Sequence, residues 1–397
     1  MPPHRLVCAA LVVLTLLAVI GDAAAQSSLN PALQPYLAKY ELPALGAAVV
    51  KSGKIVASGA VGTRKAGAAI PVGVNDRFHL GSDTKAMTAL LAGMLVEEGR
   101  IRWNSPLAEV FPELAEKMTP GLRRVTLEQL LSHTSGIPAD NEAFADLLGK
   151  SSFQDGNLDD LRYWLLQQWS TQPLEAEPGA RFAFSTMGYT IAGAMMERVT
   201  GKTWEEMITE RIFVPLRLKT AGLGPQATLG RIDAPLGHAR VNGKLKAFLA
   251  GPDGDNPPII GPAGLAHMSV LDFARWAGWN AGEGRRGPKL VQPETLRKLH
   301  APVVAIPERK DAPPGTPTHG KYALGWAQVS VDWAPESLIH HGGSNQKNLA
   351  HIWVAPRRDF AMVIVTNVAT PGANDALLGL ASALYTKYAP ADRPARR

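Results

Sequence analysis

"FHLGSDTKAMTALLAGMLVEEGR", Phe78–Arg100, puts one ammonium at the head of a run that is otherwise apolar or small from Ala86 to Val96. Leu90, Leu91, Met94, Leu95 and Val96 fall around the whole circumference of a helix, so the spacing predicts a core helix, not one with a single apolar face. Gly99 ends it, and charge appears only at Glu97, Glu98 and Arg100. Lys85 thus enters a helix built for burial, with Ser82 three residues earlier on the same face of the first turn. Near a helix N-terminus, free backbone N–H groups and the macrodipole favour developing negative charge. A lysine desolvated there can accept a proton near neutrality. A serine hydroxyl, a weak nucleophile at its own pKa, requires such a partner. The same residues also read as a helix-capping serine and a lysine that snorkels to the surface. This stretch alone leaves both readings open. Ser-x-x-Lys occurs again as "SNQK" from Ser344, in a Gly-rich turn between strands, where the lysine is expected to face water.

Outward from the helix, "ALGAAVVKSGKIVASGAVGTRKAGAAIPV" (Ala44–Val72) reads as a meander of short Val/Ile/Ala strands split by turns. From residue 103 to about 300 the chain reads mainly helical, in "TLEQLLSH", "LDDLRYWLLQQW", "GYTIAGAMMERVTG" and "SVLDFARWAGWN". A Gly/Pro-rich stretch from Gly222 to Gly264 interrupts it, and "ERKDAPPGTPTHGK" (Glu308–Lys321) is a further loop. Strands return in "YALGWAQVSV", "SLIHHGG", "NLAHIWVAP" and "FAMVIVTNV", before the closing helix "NDALLGLASALYTKY". The fold class expected is α/β of the α+β type. A mostly antiparallel sheet is built from both chain ends, flanked by helices, with a helical insertion beside it and a cleft at the junction.

Hydrophobic residues are 46% of the 397 and charged residues 19%, the balance of a globular chain with a full core. The net charge of +6 is scattered in short clusters, which argues against a nucleic-acid partner. Arg5, the apolar run Leu6–Ile20 and Ala23–Ala25 predict a secretory signal peptide over residues 1–25. Cys8, the only cysteine, would leave with it, so the mature chain carries no thiol. No later apolar run reaches membrane-spanning length. The expected location is the periplasm. The expected domain is residues 26–388, with sheet parts near 29–80 and 321–388, a helical part near 100–300 and a loose tail at 389–397.

Four further stretches follow "SDTK" in order: "LLSHTSGIP" (Leu130–Pro138), "EPGARFAFSTMGYTIAG" (Glu177–Gly193), "GPAGLAHMSVLDFARW" (Gly261–Trp276) and "HHGGSNQKNLAHIWVAP" (His340–Pro356). Together they resemble the serine β-lactamase and penicillin-binding superfamily, nearest its class C β-lactamase and esterase-like branch, over roughly Leu29–Tyr388. The resemblance implies Ser82 as acylated nucleophile and Lys85 as its proton-transfer partner. It matches His341–Gly343 to the His-x-Gly strand element, with His340 the alternative register, and "SN" and Asn348 following. The backbone N–H groups of Ser82 and Ser344 would form the oxyanion hole, the element that stabilises the developing charge.

The middle motif departs from the family. Tyr-x-Asn is replaced by Phe184-Ser185-Thr186, which removes the phenol that shuttles protons and the amide that orients substrate. Tyr189, five residues on, is not expected to substitute. His133 is expected to shape a turn beside the cleft, Tyr322–Trp326 to be strand core, and His267 and the "WAGW" tryptophans to be packing. No metal-spaced cluster, Gly-x-Ser-x-Gly elbow or phosphate loop occurs, so neither metal nor cofactor is indicated. The expected activity is serine hydrolysis of a small or peptide-like ester, amide or β-lactam-like carbonyl. The alternative is an impaired relative that binds peptidoglycan-type or other ligands in the same cleft. The sequence does not set the oligomeric state.

Overall fold

The computed structural model describes residues 27–249, 251, 254–309 and 312–389. The expected signal peptide with Cys8, and the tail from residue 390, lie outside the described residues. The "FAMVIVT" run forms strand β14 (Phe360–Thr366), buried along its whole length. Its side chains divide with period two. Ala361, Val363 and Val365 join the core shared with the Val270–Ala281 helix. Phe360, Met362 and Ile364 join the core under helix α1 (Asn30–Lys39) and the Pro371–Tyr388 helix. A continuous apolar strand is the signature of a sheet covered on both faces, and that is the architecture.

Among the described residues the main sheet has nine strands. From the front of the chain come β1 (Ser27–Ser28), β2 (Ala44–Lys51) and β3 (Lys54–Gly62). From the end come β9 (Val304–Ala305), β10 (Lys321–Tyr322), β11 (Ala327–Val329), β12 (Leu338–Ser344), β13 (Leu349–Ala355) and β14. The order is β1-β3-β2-β14-β13-β12-β11-β10-β9, antiparallel except for β1 beside β3. Strand β14 pairs with β2 from Phe360↔Lys51 to Thr366↔Leu45, which joins the two chain ends at the middle of the sheet. Among the described residues no helix is long and apolar enough to cross a membrane.

Helix α2 (Thr84–Glu97) is the predicted core helix, with every residue from Thr84 to Leu95 buried. Met87, Leu90, Leu91, Met94 and Leu95 each contribute about 1.5–3 kcal/mol by leaving water. A 3₁₀ turn, Gly81–Asp83, precedes α2, so Ser82 sits one step ahead of the helix proper.

The Gly222–Gly264 stretch needs correction. It holds β5 (Gly222–Leu223) and the hairpin β6 (Gly237–Val241) and β7 (Lys244–Phe248). The hairpin turns at Asn242 and Gly243, with φ of 50° and 76°, as an Asn-Gly two-residue turn requires. "GLAHMS" also contains a strand, β8 (Ala266–Ser269), which pairs with β4 (Arg77–His79) and β5. This small sheet holds the chain that enters the 3₁₀ turn, because β4 leads directly into it.

Candidate active site

Ser82 is held by a tight local network. Leu80 donates its N–H to Ala266 O at 2.9 Å. Thr84 Oγ1 donates to Gly81 O at 2.7 Å and accepts from Ala266 N at 3.0 Å. Lys85 is 1% exposed, which excludes the snorkelling geometry. Its Nζ donates to Ser82 Oγ at 3.0 Å and to the Ala263 carbonyl at 2.8 Å. Burial lowers its pKa to about 7, partly offset by the negative charges of Asp140 and Asp83. At neutral pH a large fraction of Lys85 is therefore the free amine, within bonding distance of a hydroxyl.

The turn is pressed against the end of β12. A Cβ on Gly343 would meet Leu80 O at 1.9 Å and Ser82 N at 2.7 Å. Gly81, at φ +51°, would carry a Cβ 2.2 Å from Ser344 N. Only glycines allow this approach. It brings the backbone N–H groups of Ser82 and Ser344 to one seam.

Residues 339, 341 and 343 face this seam, whereas Leu338 and His340 lie on the other side of the sheet. The alternation places His341, not His340, beside the serine turn. His341 is fully buried beneath the site, not open to it. Its Nε2 lies 3.0 Å from Tyr322 Oη, and its Nδ1 lies 2.7 Å from Gly342 O and 3.5 Å from Asp83 Oδ1. Burial, and then the Lys85 charge, lower its pKa to about 3, so it is neutral at physiological pH. His340 instead lies against Trp353, with ring centres 3.9 Å apart and planes tilted by 33°.

The altered middle motif lies directly against Lys85. The Phe184 ring centre is 4.8 Å from Nζ. Ser185 Oγ caps the Thr186–Thr200 helix by accepting from Gly188 N at 3.2 Å. Thr186 turns to Asp140, donating through Oγ1 at 2.6 Å to Oδ2 and through its backbone N–H at 2.9 Å to Oδ1. Tyr189 is wholly buried, and its hydroxyl donates to Leu131 O at 2.6 Å. Burial pushes that phenol far above its ordinary range, so it is no base near neutral pH.

Other residues take their expected or revised places. His133 has φ +59°, and its Nδ1 accepts from Ser185 N at 3.1 Å, so it shapes the loop that carries the middle motif. Tyr322 is strand core, as expected, but Ala323–Trp326 form a buried connection between β10 and β11 rather than strand, and the Tyr322 hydroxyl is the polar partner of His341. Lys347 of "SNQK" is half-buried, with its Nζ 5.2 Å from the centre of the Phe248 ring. Sequence reasoning missed Asp140, Ala263 and the pair His79–Asp255. His79 Nδ1 accepts from Gly81 N at 3.0 Å, and its Nε2 is 2.9 Å from Asp255 Oδ1. Asn345 Nδ2 donates to the same Oδ1 at 2.8 Å, so Asp255 ties both strands of the seam together. No group of three or more His, Cys, Asp or Glu able to hold a metal ion occurs among the described residues.

A family model described as "Beta-lactamase" matches residues 29–387. "Penicillin-binding protein 4" of Amycolatopsis lactamdurans is 26% identical over 317 residues, 78% of this chain and 76% of that protein. "Protein flp" of Staphylococcus aureus (strain MW2) is 21% identical over 86% of this chain, which spans only 63% of that relative's length. Among solved structures, D-amino acid amidase from Ochrobactrum anthropi SV3 superimposes with a TM-score of 0.71 at 18% identity, over 90% of this chain and 98% of that one.

Proposed function

Because this chain belongs to the Beta-lactamase family, we propose that it is a serine hydrolase acting through an acyl-enzyme on Ser82. The observation that carries the reading is the sealed amine of Lys85, 3.0 Å from Ser82 Oγ, with a pKa lowered by burial to about 7. Neutral Lys85 takes the Ser82 hydroxyl proton as Oγ attacks the substrate carbonyl carbon. The carbonyl oxygen, now negative, is received by the backbone N–H groups of Ser82 and Ser344. Lys85 returns the proton to the leaving group as the carbonyl re-forms. Water then repeats the cycle on the acyl-enzyme, and Lys85 again moves the proton.

The substrate is a small or peptide-like ester, amide or β-lactam-like carbonyl. The likeness to a D-amino acid amidase fold supports the amide class among these. Scattered positive charge favours no nucleic-acid partner. The N-terminal signal-like segment supports export to the periplasm, with a mature chain beginning near Gln26.

A second reading has one specific observation behind it. Phe184 offers Lys85 a ring and no hydroxyl, and Thr186 is engaged with Asp140. The protein would then bind ligands in this cleft with little turnover.

Intact-mass spectrometry of the mature protein with a fluorophosphonate, and separately with a penicillin, decides between them. A single adduct absent from Ser82→Ala supports the hydrolase, and its decay rate measures deacylation. A folded protein that takes no adduct overturns that reading in favour of the binding protein.

A further inference from the structure

The two backbone N–H groups offered to a developing oxyanion come from distant parts of the chain, so their spacing has to be held. Ser82 N–H shares a peptide plane with Gly81 O, which accepts from Thr84 Oγ1 at 2.7 Å. The preceding peptide is held as well, because His79 Nδ1 accepts from Gly81 N at 3.0 Å. Both planes flanking Gly81 are therefore fixed, at a residue whose φ of +51° is left-handed. An accepting Nδ1 carries no proton, so the ring N–H of neutral His79 is at Nε2. That nitrogen is 2.9 Å from Asp255 Oδ1, an electrostatic contact rather than an aligned hydrogen bond.

The same carboxylate oxygen reaches the other donor. Asp255 Oδ1 accepts from Asn345 Nδ2 at 2.8 Å and from Asn256 N at 2.8 Å. Asn345 directly follows Ser344, and its own Oδ1 gathers the turn by accepting from Asn348 N at 2.9 Å and Asn348 Nδ2 at 3.0 Å. The segment that carries Asp255 is tied down in turn. Asn256 Nδ2 donates to Gly264 O at 2.9 Å, one residue past the carbonyl that receives Lys85. Burial opposes ionisation of Asp255, but His79, Asn345 and Asn256 outweigh it, so its pKa lies below the ordinary value and it is a carboxylate. Its side chain is 4% exposed, and Oδ2 has no hydrogen-bond partner among the described residues. Burying a carboxylate opposes folding, and an apolar side chain would serve the fold as well.

Building on the acyl-enzyme reading of Ser82, we propose that Asp255 is a positioning residue for acyl transfer. Its Oδ1 holds His79 and Asn345, and through them the backbone N–H groups of Ser82 and Ser344, at the spacing an oxyanion requires. The effect falls on the transition state, where the carbonyl oxygen becomes negative, and not on substrate binding. Lys85 is outside its reach, since the charges that tune that amine are those of Asp140 and Asp83.

Ser82 labelling by a fluorophosphonate separates the two, because its maximal rate reads the step that develops charge and its half-saturating concentration reads prior binding. Asp255→Ala should lower the maximal rate about thirtyfold, short of the roughly 10²–10³ lost with a whole oxyanion donor, and move the half-saturating concentration less than about threefold. Asp255→Asn keeps an oxygen that can accept from Asn345 and Asn256, so its rate should return to within about threefold of the parent. His79→Asn can still accept from Gly81 N but is too short to reach Asp255, so it should reproduce the alanine pattern more weakly, and it carries the test if Asp255→Ala does not fold. The acid limb of labelling near pH 7 should stay in place in every variant, because the contacts of Lys85 with Ser82 and Ala263 are untouched. A parental rate in Asp255→Ala, a half-saturating concentration that changes as much as the rate, a displaced acid limb or a slow Asp255→Asn each overturns the positioning role. A parent protein that takes no adduct overturns the acyl-enzyme reading, and the positioning role falls with it.

Discussion

The ammonium of Lys85 stands 4.8 Å from the centre of the Phe184 ring, where a face of π-electron density favours its charged form. The resemblance to the family implies a phenol in this position, where this chain has the Phe184 ring without a hydroxyl. A positioned acid–base group is worth roughly 10²–10⁴ in rate. Phe184→Tyr combined with Thr186→Asn is therefore expected to raise Ser82 acylation toward that range, measured by stopped-flow with a chromogenic ester. An unchanged rate would mean that Lys85 already carries both proton transfers.

The acid limb of acylation should report Lys85. Its pKa is lowered to about 7, so the reactive free amine is lost as pH falls through 7. The rate should drop about tenfold per pH unit below that point. Asp140 raises the Lys85 pKa, so removing its charge acts in the opposite sense. Asp140→Asn should move the acid limb to lower pH, while the Thr186 hydroxyl can still donate to the remaining side-chain oxygen. A limb that stays in place would assign the ionisation to a group other than Lys85.

Gly343 tests the seam. Alanine there would drive a Cβ to 1.9 Å from Leu80 O and 2.7 Å from Ser82 N, both backbone atoms. Overpacking of this kind costs about 1–3 kcal/mol. Gly343→Ala should lower the chemical-denaturation midpoint and slow Ser82 labelling, because strand and turn must part. Full labelling at the parental rate would remove the seam from the mechanism.

What the sequence revealed follows from how far apart the partners lie along the chain. Ser82 and Lys85 are three residues apart at the entry to a helix whose burial is written in its own apolar run, so the pair was legible. The sheet was legible too, since β13, apolar but for His351, and β14, apolar up to Thr366, are joined by a charged turn. Alternation along β12 resolves His340 from His341, but only once the two faces have neighbours. Ala263, 178 residues from Lys85, offers a backbone carbonyl, which no sequence pattern marks. Asp140 and Thr186 meet across 46 residues through a loop, where no periodicity exists to read. The β6–β7 hairpin was different. Its Asn242-Gly243 turn was visible, and the surrounding Gly and Pro residues masked it.

The Ala263 carbonyl depends in turn on Arg162, which is fully buried and forms charge-assisted hydrogen bonds to Glu197 and Glu205. Arg162 Nε also donates to Ile259 O at 2.9 Å. Ile259 lies in the Pro258–Ile260 turn, which runs straight into Gly261–Gly264 and so fixes where Ala263 points. From the other side, Thr88 Oγ1 donates to Pro262 O at 2.7 Å and accepts from Trp204 Nε1 at 3.1 Å. Arg162→Met would leave the Glu197 carboxylate buried without its cation, a loss of about 3–5 kcal/mol. Replacing Arg162 and Glu197 together by methionine removes that stranded charge, so the double variant should recover most of the stability. Lys85 should still suffer in both, since Ile259 has lost its anchor. The expected pattern is a denaturation midpoint that falls in the single variant and returns in the double, with Ser82 labelling slowed in each. If labelling recovers along with stability, Arg162 serves the fold alone and the Ala263 carbonyl is held by Thr88.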